Sequence, residues 1–240
     1  MSRVWILIPA LNEEESLPHV LRALPERGEI EVVVCDNGSS DATARRAREL
    51  GATVVLEERH GYGRACLRAM AELDRRGAAD RDLVCFVDAD FSDDPSQLDE
   101  VLEPLRLDRA DLVIGSRVLG QRETGSLLPQ ARFGNWLATR MIRRITGVRF
   151  TDLGPFRALR WGGLRQLDMR DEAFGWTVEM QLKAAAGGLR CVEVPVRYRR
   201  RIGKSKITGT LRGTFLASVT ILSILLRWRF GHRPAGLSVQ

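Results

Sequence analysis

The sequence predicts an α/β fold with a mostly parallel central sheet and helices on both faces, and two observations carry that prediction. Short apolar runs alternate with segments of helical spacing as far as about residue 115, which is the order that builds parallel strands joined by crossover helices. Several of those runs, such as Val4-Trp5-Ile6-Leu7-Ile8 and Leu83-Val84-Cys85-Phe86-Val87, are apolar without interruption, as strands covered on both faces must be.

Taken in order, Val4 to Ile8 reads as a strand closed by Pro9, followed by the loop Ala10-Leu11-Asn12-Glu13 and a helical pattern through Val20, Leu21 and Leu24. Ile30 to Cys35 is the second strand, Asp36 to Ser40 its loop, and Asp41 to Leu50 the next helix. Thr53 to Leu56 is a third strand. Gly61-Tyr62-Gly63 opens a helix reaching about Arg76, and Leu83 to Val87 is the fourth strand. Asp94 as N-cap and Pro95 in the first turn start a helix to about Leu107, and Asp111 to Ile114 is the fifth strand. Beyond Gly115 the alternation stops: residues 130–146 have helical spacing, 151–175 is Gly-rich and irregular, a helix is expected at 176–186, and a short strand runs from Cys191 to Val196. Leu211 to Leu226 reads as a last helix.

At 240 residues the chain is long enough for one large domain with a substantial core. The net charge of +6 is concentrated: Arg197, Arg199, Arg200, Arg201, Lys204 and Lys206 lie within ten residues, a patch that seeks phosphate, lipid headgroups or nucleic acid. The four cysteines form no CxxC pair and the three histidines are scattered, which excludes a zinc motif and a disulfide framework and points to a reducing compartment. Met1-Ser2-Arg3 leads straight into strand residues instead of an apolar leader, so a cytoplasmic location is expected.

The chemistry centres on Asp88-Ala89-Asp90, two carboxylates spaced i, i+2 where the fourth strand ends. Open α/β sheets bind ligands outside that carboxyl edge. Carboxylate oxygens without nitrogen or sulfur ligands suit Mg²⁺ or Mn²⁺, which complete their shells with water and substrate phosphates, so a metal holding a diphosphate is expected. Asp36 and Asp41 bracket a polar loop on the same edge. Asp36 is read as a ligand contact, with an Asx-turn as the alternative, and Asp41 as an N-cap. Gly61 admits two readings, a close backbone approach to the nucleotide or a plain helix start. The pair Gly61 and Gly63 follows the third strand and does not complete G-x-G-x-x-G, which argues against a nicotinamide-binding enzyme.

Ile8-Pro9-Ala10-Leu11-Asn12-Glu13-Glu14, Val34 to Asp41, Asp88-Ala89-Asp90 and Gly115-Ser116-Arg117, in that order, resemble the signature of family 2 glycosyltransferases with the GT-A fold, and within them the dolichol-phosphate mannose synthase-like, polyprenyl-phosphate branch. The resemblance runs from about residue 4 to 225. It implies that Pro9, Ala10, Asn12, Glu13 and Asp36 hold the nucleoside, that Asp88 lies near ribose or metal, that Asp90 ligates the metal, and that Arg117 reaches the acceptor phosphate. An arginine fork suits that last role. Asp152, Trp176 and Glu179 fall on the acceptor side, where the carboxylates are expected to take sugar hydroxyls and Trp176 to stack on a sugar face; for Trp176 and Glu179 a core position is the alternative. Arg201 and Lys204 match the family's basic loop over phosphates.

Residues 1–206 are therefore expected to form the catalytic domain, 207–230 an amphipathic helix at the membrane interface and 231–240 a tail. Thr214 to Leu226 is apolar for too short a run to span a bilayer, which takes ~20 residues, and arginines flank it. The expected activity is metal-dependent, inverting transfer of a hexose from a UDP-glucose or GDP-mannose type donor to a polyprenyl phosphate, on the cytoplasmic membrane surface and without nucleic acid. The alternatives are a soluble acceptor and, further off, a nonenzymatic basic scaffold. The absence of Gln-x-x-Arg-Trp argues against a processive polysaccharide synthase.

Overall fold

A computed structural model describes residues 2–203, 223–225 and 228. Its strands are β1 (Val4–Ala10), β2 (Ile30–Asp36), β3 (Thr53–Leu56), β4 (Leu83–Phe86), β5 (Leu112–Ser116), β6 (Arg157–Arg160) and β7 (Cys191–Pro195), and its helices α1 (Leu17–Ala23), α2 (Thr43–Glu49), α3 (Tyr62–Arg75), α4 (Leu98–Arg106), α5 (Pro129–Thr146), α6 (Trp161–Gln166) and α7 (Trp176–Ala186). One seven-stranded sheet runs β3-β2-β1-β4-β6-β5-β7. All pairings are parallel except those of β6, which is antiparallel to both neighbours.

The uninterrupted apolar strands are explained by two cores, one on each face. Alternate residues Trp5, Leu7, Val33, Cys35, Val84 and Phe86 point to one side, where they meet α3, α6 and α7. Val4, Ile6, Ile8, Val34 and Cys85 point to the other, against α1 and α4. With a side-chain period of two, both sets must be apolar. The α4 start is as expected in kind: Asp94 Oδ1 accepts from the Ser96 amide, and Pro95 opens a single 3₁₀ turn that passes into α4. Gly147, in the left-handed region at φ 80°, ends α5.

Two features depart from the sequence reading. The stretch read as irregular contains β6 and α6, and β6 fills the gap between β4 and β5. Its signal is hidden because it is four residues long and begins with a fully buried arginine. Arg157 donates to the carbonyls of Leu153, Gly154 and Thr177, so its charge is held by backbone dipoles and it occupies an apolar position in the strand. The last predicted helix falls mostly outside the described residues, as do the rest of 207–230 and the tail 231–240. Within it Ser223, Ile224, Leu225 and Trp228 are helical; Leu225 is 0 % exposed, and Ile224 and Trp228 pack on the same core cluster. At these positions the apolar side chains meet the core, the alternative to an interfacial role; the rest of the segment expected at the interface lies outside the described residues. Among the described residues no helix is long and apolar enough to cross a membrane.

Candidate active site

The parallel strands end at one edge of the sheet, and so do the loops that carry polar groups. The register sets Ala10 beside Asp36 and Leu7 beside Phe86, so the loops after β1, β2 and β4 leave the sheet side by side. Antiparallel β6 begins at this same edge, with Arg157 opposite Phe86 and Ile114, which brings the 151–156 loop up next to Arg117.

Between these loops lies a cavity of about 250 Å³ whose wall includes Pro9, Ala10, Glu13, Gly61, Asp88 and Asp90, with Arg201 closing it. Seven residues predicted from sequence thus meet around one space. Asn37, His60, Tyr62 and Phe174 also line it and were not named as contacts from the sequence. Asn37 organises the far wall: its amide donates to the carbonyls of Glu57 and Arg59, and its Oδ1 accepts from the Gly61 amide. Gly61, at φ 155°, and the helix start behind it are pressed against the 171–173 backbone, where Gly63 donates to Ala173 and a Cβ on either glycine would collide with a carbonyl. The advance signals for this wall were the glycine pair and the polar loop after β2.

At the carboxylate end, charged groups lie close together. Tyr62 donates to Asp88 Oδ1 at 3.0 Å. Burial, and after it the charge of Asp90, pushes the Asp88 carboxyl up to about 7. Asp90 Oδ1 accepts from the amide and hydroxyl of Ser92, while Oδ2 lies 3.1 Å from Arg201 Nη2. The same guanidinium reaches Glu13 at 3.5 Å. The Arg201 position follows from a strap of backbone: Arg199 donates to the Ser92 carbonyl and Ile202 to that of Asp90. The neighbouring arginines are tied down too, with Arg197 and Arg199 both 2.8 Å from Asp94. Among the described residues of the basic run, Arg197, Arg199 and Arg201 are therefore paired with carboxylates, and the strap presents Arg201 to the cavity. Lys204 lies outside the described residues. Beneath the strap Asp93 is buried with neither carboxylate oxygen hydrogen-bonded, and burial followed by the Asp88 charge pushes its carboxyl well up.

Several expected contacts are replaced by internal ones. Asn12, at φ 51°, receives the Ser40 amide on Oδ1 and gives its own amide to Ser39, bracing the first two loops. Asp36 is buried and accepts from the Ser39 amide, the Asx-turn alternative, and the cavity wall passes to Asn37. Asp41 accepts from the amide and hydroxyl of Thr43 at the α2 start. Arg117 does not present a free fork. Its Nε and Nη2 lie 2.8 and 2.7 Å from the two oxygens of Asp152, which also takes the Arg117 amide. Burial opposes the charge of Arg117, but Asp152 more than offsets it and the pKa is raised. A bidentate grip of Arg117 on an acceptor phosphate would require breaking this pair, and Asp152, wholly buried, has no face for sugar hydroxyls.

Trp176 and Glu179 take the core alternative. Trp176 is 1 % exposed and meets Phe86 edge to face, which leaves no ring face for a sugar. Glu179 accepts from the Arg170 and Asp171 amides and pairs with Lys183 at 2.8 Å, so it anchors the 168–175 loop.

A mostly parallel sheet with a carboxylate-ended cavity at its carboxyl edge is what a GT-A type fold requires, and solved structures show that fold. A glucosyl-3-phosphoglycerate synthase from Mycobacterium tuberculosis, in complex with Mn²⁺, uridine diphosphate and phosphoglyceric acid, aligns over 99 % of this chain and 82 % of its own with a TM-score of 0.73 and 21 % identity. The model of glycosyl transferase family 2 matches residues 5–167. An uncharacterized glycosyltransferase of M. tuberculosis is 37 % identical, covering 92 % of this chain and 97 % of that protein. An undecaprenyl-phosphate mannosyltransferase of Micrococcus luteus is 33 % identical over 98 % of this chain and 100 % of its own, and a dolichyl-phosphate hexose transferase of Haloferax volcanii 31 % identical over 93 % and 94 %. The chain belongs to glycosyl transferase family 2, and it is an enzyme of the hexosyltransferase type.

Proposed function

We propose that the protein transfers a hexose from a nucleotide-diphosphate sugar to a polyprenyl phosphate with inversion at the anomeric carbon. The observation that carries the donor side is the polarity of the cavity: Pro9, Ala10, His60, Gly61 and Tyr62 form a wall suited to a nucleoside, and Asp88, Asp90 and Arg201 form a charged end suited to a diphosphate. The names of the relatives from M. luteus and H. volcanii support the lipid acceptor.

A divalent cation fits this end. Among the described residues no cluster of three His, Cys, Asp or Glu would hold a metal alone. Two carboxylates of the all-oxygen type suit Mg²⁺ or Mn²⁺ that draws its remaining ligands from the diphosphate and water. Asp90 already attracts a cationic group in the form of Arg201. Asp88 and Asp90 would hold the ion, whose chemistry is neutralisation of charge on the departing diphosphate.

The chain's own groups do the rest. Arg201, which lines the same end of the cavity, would supply a second positive charge toward the diphosphate. Tyr62 holds Asp88 in position. The acceptor phosphate attacks the anomeric carbon as the bond to the diphosphate oxygen breaks. A phosphate monoester with a second pKa near ~6 is already ionised, so no strong base is required. The test is incubation with radiolabelled nucleotide sugars, membranes and Mn²⁺. Label in the organic phase is expected, abolished by Asp90→Asn; label confined to water-soluble glycosides refutes the lipid acceptor.

A further inference from the structure

We infer that the outward face of α5 and the loop before it form a docking surface for an anionic phospholipid membrane. The inference deepens the proposed lipid acceptor and moves the membrane contact away from the C-terminal segment, where Leu225 faces the core.

Three observations converge. First, of the eight large hydrophobic side chains found exposed among the described residues, five, Val118, Leu119, Leu128, Phe133 and Trp136, lie between 118 and 136. Phe133 is 63 % and Trp136 52 % exposed, and their rings lie 5.8 Å apart as a pair facing solvent. An aromatic pair on the wet side of a helix gains nothing from its position in an isolated molecule, whereas it suits the headgroup layer.

Second, residues 124–151 contain five arginines and no Asp or Glu. Many arginines elsewhere are paired, as Arg27 with Asp99, Arg117 with Asp152 and Arg190 with Asp111. Arg132, Arg140, Arg143, Arg144 and Arg149 make no ion pair with any described residue; Arg140 instead lies over the Trp136 ring at 5.7 Å. A concentration of unpaired positive charge beside apolar rings complements an anionic headgroup layer.

Third, the exposed groups lie on one face of the helix. Phe133, Trp136, Arg140 and Arg143 recur at i, i+3, i+7 and i+10, one stripe of the helix, while Asn135, Ala138, Thr139 and Ile142 form the buried side. A cleft of about 350 Å³ beside this stripe extends to Thr151, whose hydroxyl is 2.8 Å from that of Ser116, the neighbour of Arg117.

The experiment is co-sedimentation of the full chain with vesicles that contain no polyprenyl phosphate, either of phosphatidylcholine alone or with a third phosphatidylglycerol. Binding is expected to the anionic vesicles and at least ~10-fold weaker to the neutral ones. Arg140→Glu with Arg143→Glu should weaken it by more than ~25-fold, taking about fivefold for each arginine near the surface. Phe133→Ser with Trp136→Ser should remove the part that survives high salt. These side chains are exposed, so unchanged melting temperatures are expected and would separate lost docking from lost folding. Equal binding by the variants, or no binding by the native chain, overturns the inference. So does tighter, equally arginine-dependent binding to an RNA oligonucleotide, or binding only after polyprenyl phosphate is added. That last result would leave the proposed acceptor standing; vesicle binding without sugar transfer to polyprenyl phosphate would leave docking standing and refute the acceptor.

Discussion

Replacing Asp152 with asparagine separates a brace from a substrate-binding arginine. Asp152 is wholly buried, and its two oxygens take Nε, Nη2 and the amide of Arg117 at 2.7–2.8 Å as well as the Leu153 amide at 2.8 Å. Asn keeps the shape but removes the negative charge and turns one acceptor into a donor facing the guanidinium. Arg117, with a side chain only 12 % exposed, is left as an uncompensated charge. Removing one partner of a buried pair costs about 3–5 kcal/mol. For a chain of this size each kcal/mol moves the melting temperature by about 2–4 °C, so a fall on the order of 10 °C is expected. Urea melts followed by circular dichroism should show a lower midpoint with an unchanged slope. The double variant Arg117→Met, Asp152→Leu should recover most of the loss, because both charges leave together. Retention of stability to within ~1 kcal/mol by Asp152→Asn, accompanied by collapse of acceptor affinity, would refute this reasoning and return Arg117 to the acceptor phosphate.

Further outcomes follow from the same geometry. Trp176→Ala should destabilise the fold by about 3–5 kcal/mol in urea melts, as a large core truncation does, while the acceptor KM of the folded fraction stays near native. Arg201→Gln should strengthen Mn²⁺ binding in the absence of nucleotide, since Asp90 loses its internal cation, and weaken nucleoside diphosphate binding; calorimetric titration of each ligand checks both directions. The raised Asp88 pKa fixes a pH dependence. Its folded value is about 7 against an ordinary carboxylate value of 3.8, so between these limits the metal-free protein binds the extra proton and the Asp88 contribution to stability declines as pH rises through the window. A cation must displace that proton, so Mn²⁺ affinity should fall up to ~10-fold per unit below pH 7; titrations across pH 5.5–8 that show no such slope would contradict it.

Residues whose role is local were legible in the chain. The alternation of apolar strands with helices, the Asp94-Pro95 start and the two aspartates after β4 follow from periodicity, capping and the position of a strand end, all short-range physics. Pro9, Ala10, Glu13, Gly61, Asp88, Asp90 and Arg201 could be named before any coordinates because they stand at or near such ends, or in a charge run, and carry a family resemblance. Residues whose role depends on a distant partner were not legible. Trp176 and Glu179 have the composition of a pocket wall, but Phe86 and Lys183 with the 170–171 backbone claim them. Arg117 looks available until the antiparallel β6 brings Asp152 against it.

The sequence by itself determined the class of fold and the strand end that carries the paired carboxylates, since these depend on side-chain period and strand ends. Only the tertiary structure decided which charges remain available. It tied Arg197 and Arg199 to Asp94, Arg117 to Asp152 and Arg201 to Asp90, and left the arginines of α5 facing outward. The physical reason is that a charge is satisfied through space, within a few ångströms, by whatever the sheet order brings beside it, and sheet order is a property of the whole chain.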